Sequence, residues 1–209
     1  MGSKNVGFWA GEFGTAYAER NASSEAAVAA GARVWASVLA RVPVGEIQRV
    51  LEVGSNVGIT ARAVQRVLDA ELWSVEPNDT ARDILVRDGV VPAERAVDGD
   101  IVALDFPDRS FDLALVSGVL IHVDPDDLFA ACAELARVSG RYVALLEYFS
   151  VRPEEVTYRG HEGKLFKRDF GSYFLDVNKD FECLDYGFAW KPHTGMDNST
   201  CWLFRRTGE

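Results

Sequence analysis

The stretch Arg49-Val50-Leu51-Glu52-Val53-Gly54-Ser55-Asn56-Val57-Gly58, followed by Ile59-Thr60-Ala61-Arg62-Ala63-Val64, decides how this chain folds. A short apolar run ends at Glu52 and Val53 and breaks into a glycine-bearing turn. Beyond the turn, Ile59, Ala63, Val64, Val67 and Leu68 recur at helical spacing. Strand, tight loop and helix make the first half of a βαβ unit, with a nucleotide-sized crevice above the strand's carboxyl end. Gly54 can turn without a Cβ clash, and Gly58 lets a ligand or the helix approach the backbone closely.

The spacing separates cofactors. Gly54 and Gly58 frame Gly-x-x-x-Gly, not the Gly-x-Gly-x-x-Gly of a pyrophosphate-binding turn or the Gly-Lys-Ser/Thr of a phosphate loop. Glu52 would repel a phosphate but can accept a hydrogen bond from a cationic amine. A cofactor with an ammonium end and no phosphate fits, and S-adenosylmethionine, which leaves as S-adenosylhomocysteine, is the obvious one. An ordinary strand-to-helix turn has the same appearance, so the motif needs support from the strands that follow.

With 209 residues, 48% hydrophobic and 26% charged, the chain suits one globular domain with a full core. A net charge of −10 offers no overall basic field, so nucleic acid is not an expected partner. The three cysteines, Cys132, Cys183 and Cys201, lack metal-ligand spacing and read as reduced thiols with no zinc or other metal. No apolar run reaches a membrane span's length and the start lacks a signal peptide's apolar core, so a soluble cytoplasmic protein, monomer or homodimer, is expected.

Residues 1–22 interleave Phe8, Trp9, Phe13 and Tyr17 with glycines and end in Glu19-Arg20-Asn21. They are either an arm laying aromatics on the core or a lid, with Tyr17, Arg20 and Asn21 reaching the cofactor's polar end. Ser23 or Ser24 with Glu25 then caps a helix whose apolar face is Val28, Trp35, Val38 and Leu39, ending before Pro43. Leu72–Val75 reads as the second strand, closing with Glu76-Pro77-Asn78. An acid about 20 residues after the glycines, at the end of strand two, is the usual acceptor for paired ribose hydroxyls. A helix over Asp79–Arg87 stops at Asp88-Gly89, and Val97-Asp98-Gly99-Asp100-Ile101 reads as a short strand ending in an acid. Asp100 is placed to accept from an adenine amino group, with Asp98 competing, and Ile101 to offer a backbone N–H and an apolar surface. Leu113–Val116, apolar throughout as in a sheet covered on both faces, is strand four, and Ser117-Gly118-Val119 with His122 leave its carboxyl end. Asp124-Pro125-Asp126-Asp127 reads as the start of a helix that Ser139-Gly140 ends, before a fifth strand over Tyr142–Leu146 closes with Glu147-Tyr148-Phe149. This alternation predicts an α/β fold with a right-wound, mostly parallel sheet.

Residues 46–147 resemble the class I S-adenosylmethionine-dependent methyltransferases. The resemblance is carried by Glu52-Val53-Gly54-Ser55-Asn56-Val57-Gly58, by Glu76, by Gly99-Asp100-Ile101, and by Phe106-Pro107-Asp108 through Phe111-Asp112. It implies a Rossmann-like, seven-stranded sheet with helices on both faces and an antiparallel C-terminal pair, here Phe181–Phe188 and Thr200–Phe204. Together with the residues read above, it makes the expected cofactor site Tyr17, Arg20, Asn21, Glu52, Gly54, Ser55, Asn56, Gly58, Glu76, Pro77, Asn78, Asp100, Ile101, Ser117, Gly118 and Val119. The ends, Phe8–Gly14 with Tyr17 and Arg20-Asn21, and the block Tyr158–Phe170, are similar to the methylases associated with pseudaminic acid biosynthesis. The expected organisation is one methyltransferase domain over 1–209: N-terminal lid and helices (1–45), cofactor core (46–147), and methyl-acceptor segment with closing strands (148–209).

Residues 150–168 depart from the acidic remainder, with Arg152, Arg159, His161, Lys164, Lys167 and Arg168 near Tyr148 and Tyr158. They form either a solvated loop paired with Glu154, Glu155, Glu162 and Asp169, or a clamp of Tyr158, Arg159, Lys164, Lys167 and Arg168 for an anionic small molecule. The polar stretch Lys191–Ser199 could also touch that molecule. Methyl transfer is mainly a positioning task, but a hydroxyl needs a base, for which His122 comes first, then Tyr148 and His161. Small-molecule O-methylation is expected; N- or carboxyl-methylation, or a binding partner without catalysis, are the alternatives.

Overall fold

The structure is a computed structural model that describes residues 2–21 and 23–208; Met1 and Ala22 of the N-terminal arm lie outside the described residues. The arm is helical, α1 (Val6–Ala10) and α2 (Glu12–Arg20), and α3 (Glu25–Val38) follows. Ser24 is the cap of α3, its hydroxyl accepting from the Ala27 N–H at 3.2 Å. Then come β1 (Arg49–Val53), α4 (Ile59–Gln65), β2 (Glu71–Val75), α5 (Asp79–Arg87), β3 (Ala96–Val97), β4 (Phe111–Ser117), α6 (Leu128–Val138) and β5 (Ser139–Glu147). The last third holds β6 (Glu154–Glu155), β7 (Phe166–Lys167), α7 (Phe170–Val177), β8 (Phe181–Ala189), α8 (Lys191–Thr194) and β9 (Ser199–Arg206).

Seven strands form one sheet in the order β3-β2-β1-β4-β5-β9-β8, the first five parallel and the last two antiparallel. This is the expected Rossmann-like architecture. Strand four shows why its sequence is apolar throughout. Ala114 and Val116 enter one core with Leu51, Leu135, Phe174 and Phe204, while Leu113 and Leu115 enter the other with Val28, Trp35 and Val64. Alternate side chains serve opposite faces, and both faces are covered. Trp35 of α3 is completely buried, and its truncation to Ala would cost about 3–5 kcal/mol.

Three readings are corrected. Asp124-Pro125-Asp126-Asp127 is a turn rather than a helix start: Asp124 accepts from the Asp126 N–H with its carboxylate and from the Asp127 N–H with its carbonyl, so α6 begins at Leu128. Ser139 ends α6 and begins β5 with no intervening loop. The third strand is only Ala96–Val97, and Asp100 lies beyond it, bridged to Ala103. The basic segment also carries a small antiparallel pair, β6 with β7.

Candidate active site

The carboxyl ends of β1, β2, β4 and β5 line a cavity of about 470 Å³. The strand order reverses between β1 and β4, the place where open α/β sheets bind ligands. A second hollow of about 500 Å³ along β8 and β9 is lined mostly by apolar groups such as Phe149, Phe188 and Trp202, and it touches none of these strand ends.

On the first cavity's wall, Gly54 holds φ at +76°, and a Cβ there would lie 2.5 Å from Val119 Cγ2. The turn after β1 and the loop after β4 therefore meet only because Gly54 has no side chain. Glu52, 2% exposed, belongs to this wall, and one of its carboxylate oxygens has no hydrogen-bond partner among the described residues. Burial, with the charge of Glu76 nearby, pushes its carboxyl up to about 8. Asn56 adopts a left-handed φ of +46°, which delivers its N–H to Glu76 Oε2 at 2.7 Å, and the Asn78 N–H reaches Glu76 Oε1 at 3.0 Å. These bonds hold the Glu76 carboxylate at the end of β2, although burial raises its pKa.

Beneath the Gly118-Val119 loop sits Glu147, fully buried at the end of β5. It accepts from the Val119, Leu120 and Ile121 N–H groups at 2.9–3.3 Å. Burial pushes it up to about 7. An acid closing an apolar strand is the same signal that Glu52 and Glu76 carry; the sequence places Glu147 at the end of the fifth strand, and the structure adds its hold on the loop after β4.

Several expected residues stand otherwise. Arg20 and Gly58 are not on the wall. Gly58 caps α4 at φ +80°, where a Cβ would lie 2.6 Å from Leu85, so its lack of a side chain serves helix packing. Asn78 lines the cavity, but its amide nitrogen donates to Trp9 and Ala10 carbonyls and to Thr15, tying down the first helices. Asp98 turns to Arg82 at 2.9 Å, which leaves Asp100 on the wall, where it accepts from the Ser3 N–H at 2.5 Å. Tyr17, Asn21, Ser55, Pro77, Ile101, Ser117, Gly118 and Val119 all line the cavity.

His122, Tyr148 and Tyr158 are on the wall; His161, Arg159, Lys164, Lys167 and Arg168 are not. His161 packs instead against Phe8 and Phe13. The cations stand behind aromatic rings: Arg159 over Tyr17 and Tyr158, Lys167 over Tyr148, Lys164 over Phe8, and Arg168 over Tyr173. His122 Nδ1 lies 2.6 Å from the Lys164 carbonyl oxygen, an acceptor only, so Nδ1 carries the proton and the lone pair is on Nε2. Burial pulls this ring down to about 4, so it is uncharged at neutral pH. Tyr148 donates to Asp197 at 3.2 Å, and burial holds its phenol up at about 12. The Lys191–Ser199 stretch contributes Met196, Asp197 and Ser199 to the wall. Trp9, one of the aromatics of the N-terminal arm, lines it too, as does Asn5, which nothing in the sequence around it marks.

A buried carboxylate oxygen without a donor, a glycine turn with no room for Cβ and a carboxylate at the end of β2 fit the amine, the close backbone approach and the ribose of S-adenosylmethionine. Among the described residues no His, Cys, Asp and Glu cluster suits a metal ion, and no helix is long and apolar enough to cross a membrane. Residues 51–144 match the methyltransferase domain family. The chain is 32% identical over 87 residues to a sterol 24-C-methyltransferase of Neurospora crassa, covering 40% of this chain and 23% of that protein. It is 34% identical over 116 residues to an uncharacterized methyltransferase of Schizosaccharomyces pombe, covering 50% and 41%. It thus spans less than half the length of either curated relative. Among solved structures it is similar to the 1,6-didemethyltoxoflavin-N1-methyltransferase of Burkholderia thailandensis with bound 1,6-didemethyltoxoflavin and S-adenosylhomocysteine. That similarity has a TM-score of 0.63 and 18% identity, over 88% of this chain and 80% of that one. The chain thus carries a match to the methyltransferase domain over residues 51–144 and has the fold of solved S-adenosylmethionine-dependent methyltransferases.

Proposed function

We propose that this chain is an S-adenosylmethionine-dependent methyltransferase that O-methylates a small anionic compound of sugar-acid or secondary-metabolite type. The observation that carries the cofactor half is Glu52, a buried carboxylate with an unsatisfied oxygen beside the Gly54 turn. Leaving such a group unpaired is costly, and a cationic amine satisfies it where a phosphate would not. Glu52 would take the amine, Glu76 the ribose hydroxyls, and Asp100 with Ile101 the adenine edge. The bound cofactor supplies an electrophilic methyl group on a sulfonium.

The remaining work belongs to the chain. Its wall excludes water and holds the attacking oxygen in line. His122 Nε2 would accept the proton of the acceptor hydroxyl as its oxygen takes the methyl group that the cofactor would supply. For the anionic group, Arg159, Lys167 and Arg168 have no carboxylate partner among the described residues, whereas Arg41, Arg62, Arg66 and Arg82 are each ion-paired. Without carboxylate partners, Arg159 and Lys167, stacked on the wall residues Tyr17, Tyr158 and Tyr148, would steer an anion to the mouth of the cavity. The likeness of the Tyr158–Phe170 block to the pseudaminic acid-associated methylases supports a sugar acid.

One observation favours a second reading. An imidazole held at about 4 is a weak base, which suits a carboxylate or neutral amine that needs no proton removed. The deciding experiment incubates the protein with S-adenosylmethionine and hydroxylated sugar acids and follows gain of one methyl group by mass spectrometry. His122→Ala should slow transfer to a hydroxyl about 100-fold and leave transfer to a carboxylate near the parent rate. Failure to bind S-adenosylhomocysteine, together with no methylated product, overturns the proposal.

A further inference from the structure

Asn5 has no obvious business in a methyltransfer site, yet it is 5% exposed and every arm of its side chain is engaged with distant chain. Its amide nitrogen donates to the His122 carbonyl at 2.9 Å and to the Gly163 carbonyl at 3.1 Å, and its amide oxygen accepts from Lys164 Nζ at 2.5 Å. The Lys164 carbonyl is the group that fixes the His122 tautomer. Asn5 immediately precedes α1, whose Trp9 ring centroid lies 4.6 Å from that of His122. One side chain thus joins the N-terminal helices, the turn bearing His122 and the loop that tells His122 where its proton sits.

We infer that Asn5 is a positioning residue, through which docking of the N-terminal helices holds His122 with its proton on Nδ1 and its lone pair on Nε2. The inference rests on His122 serving the methyltransfer proposed above, but the coupling itself is independent of it. The geometry is demanding: two carbonyls and one ammonium need two donors and one acceptor, which an asparagine amide supplies and neither Asp nor Leu does. Removing it also leaves two carbonyls that must find water. The charged and titratable groups around the ring are Lys164 on the loop and Tyr158, whose ring centroid lies 4.9 Å away.

The test uses the full chain labelled with ¹⁵N-histidine, with signals assigned through His161→Gln and His193→Gln. Wild type should show one His122 tautomer, protonated on Nδ1, and titrate near 4. Asn5→Ala should give a tautomer mixture, a titration moved upward as the ring gains water, and faster amide exchange in α1 and α2. It should also weaken S-adenosylhomocysteine binding roughly tenfold, the scale of one or two lost hydrogen bonds. Asn5→Asp, isosteric but lacking the two N–H donors, should do the same despite its attraction for Lys164. Should Asn5→Ala not fold, Asn5→Asp and Lys164→Met keep the question open to measurement. Variants that retain the single tautomer, the low titration and the slow exchange overturn the inference. A wild type that shows the tautomer but binds no S-adenosylhomocysteine overturns the methyltransferase reading alone.

Discussion

The two sides of the cavity are built on different principles. On the side of β1 and β2, carboxylates stand at strand ends and are gripped by backbone N–H groups close by: Glu76 by Asn56 and Asn78, with Glu52 beside the Gly54 turn. On the side of the N-terminal helices and residues 158–168, the wall is aromatic, and its polar links join separate segments, His122 with Lys164 and, more than 100 positions apart, Asn5 with Lys164. The first arrangement follows from the strand–turn–helix unit and is rigid once the sheet forms. The second exists only when three separate segments have docked, so its elements can open locally without unfolding the core.

The largest test of that contrast compares two glycines. Gly54→Val places a branched side chain where even a Cβ meets Val119 at 2.5 Å, in a left-handed backbone. It should abolish S-adenosylhomocysteine binding, a loss beyond 100-fold by calorimetry. Gly58→Ala meets Leu85 at 2.6 Å, away from the wall. It should cost about 1–3 kcal/mol of stability while the folded protein binds the ligand with near-parent affinity. Equal affinity losses in both would dissolve the distinction between binding glycine and packing glycine.

A second test is protonic. Burial raises Glu52 to about 8, so at pH 7 the empty site holds it mostly protonated. A cationic amine requires the carboxylate, and binding must then release a proton. Affinity for S-adenosylhomocysteine should rise about tenfold or more between pH 6 and 8, with proton release measured in buffers of different ionisation enthalpy; Glu52→Gln should remove the release. The stability sign runs the other way. Glu52 and Glu147 bind protons more tightly folded than unfolded, so their contribution is fully present below the unfolded carboxyl pKa and fades as pH rises through about 7 to 8. The ligand-free Tm should fall over that range, and ligand should restore part of it.

What could be read from the sequence divides along the same line. Glu52, Gly54 and Glu76 were legible because each is a local event, an acid or glycine where an apolar run stops. Gly58 was legible as a point of close approach, but the choice between ligand and helix packing was not, since Leu85 and Val90 reach it from the next βα unit. Asp98 and Asp100 could not be separated until Arg82 was seen to claim Asp98. The helix start at Asp124 failed because an Asp-Pro pair caps turns as readily as helices. Asn5 was invisible, its partners lying 117 to 159 positions away. Position within a strand–turn–helix unit is written locally; docking between segments is not.

The smallest expected effect probes the side that only tertiary structure assembles. Arg159 is exposed and stacks on Tyr17 and Tyr158, and Lys167 stacks on Tyr148, neither with a carboxylate partner among the described residues. If they serve as a positive rim, Arg159→Ala and Lys167→Ala should each raise KM for an anionic methyl acceptor about 3- to 10-fold, because an exposed charge contributes roughly 1 kcal/mol. The defect should shrink as salt rises and the parent loses the same advantage. Affinity for S-adenosylhomocysteine should stay constant, since neither cation reaches the wall where Glu52 and Glu76 stand. A salt-independent loss would instead assign Arg159 to holding the Tyr17 and Tyr158 rings in place. The rim would then be a packing device, with the anion's recognition left to the tyrosine hydroxyls.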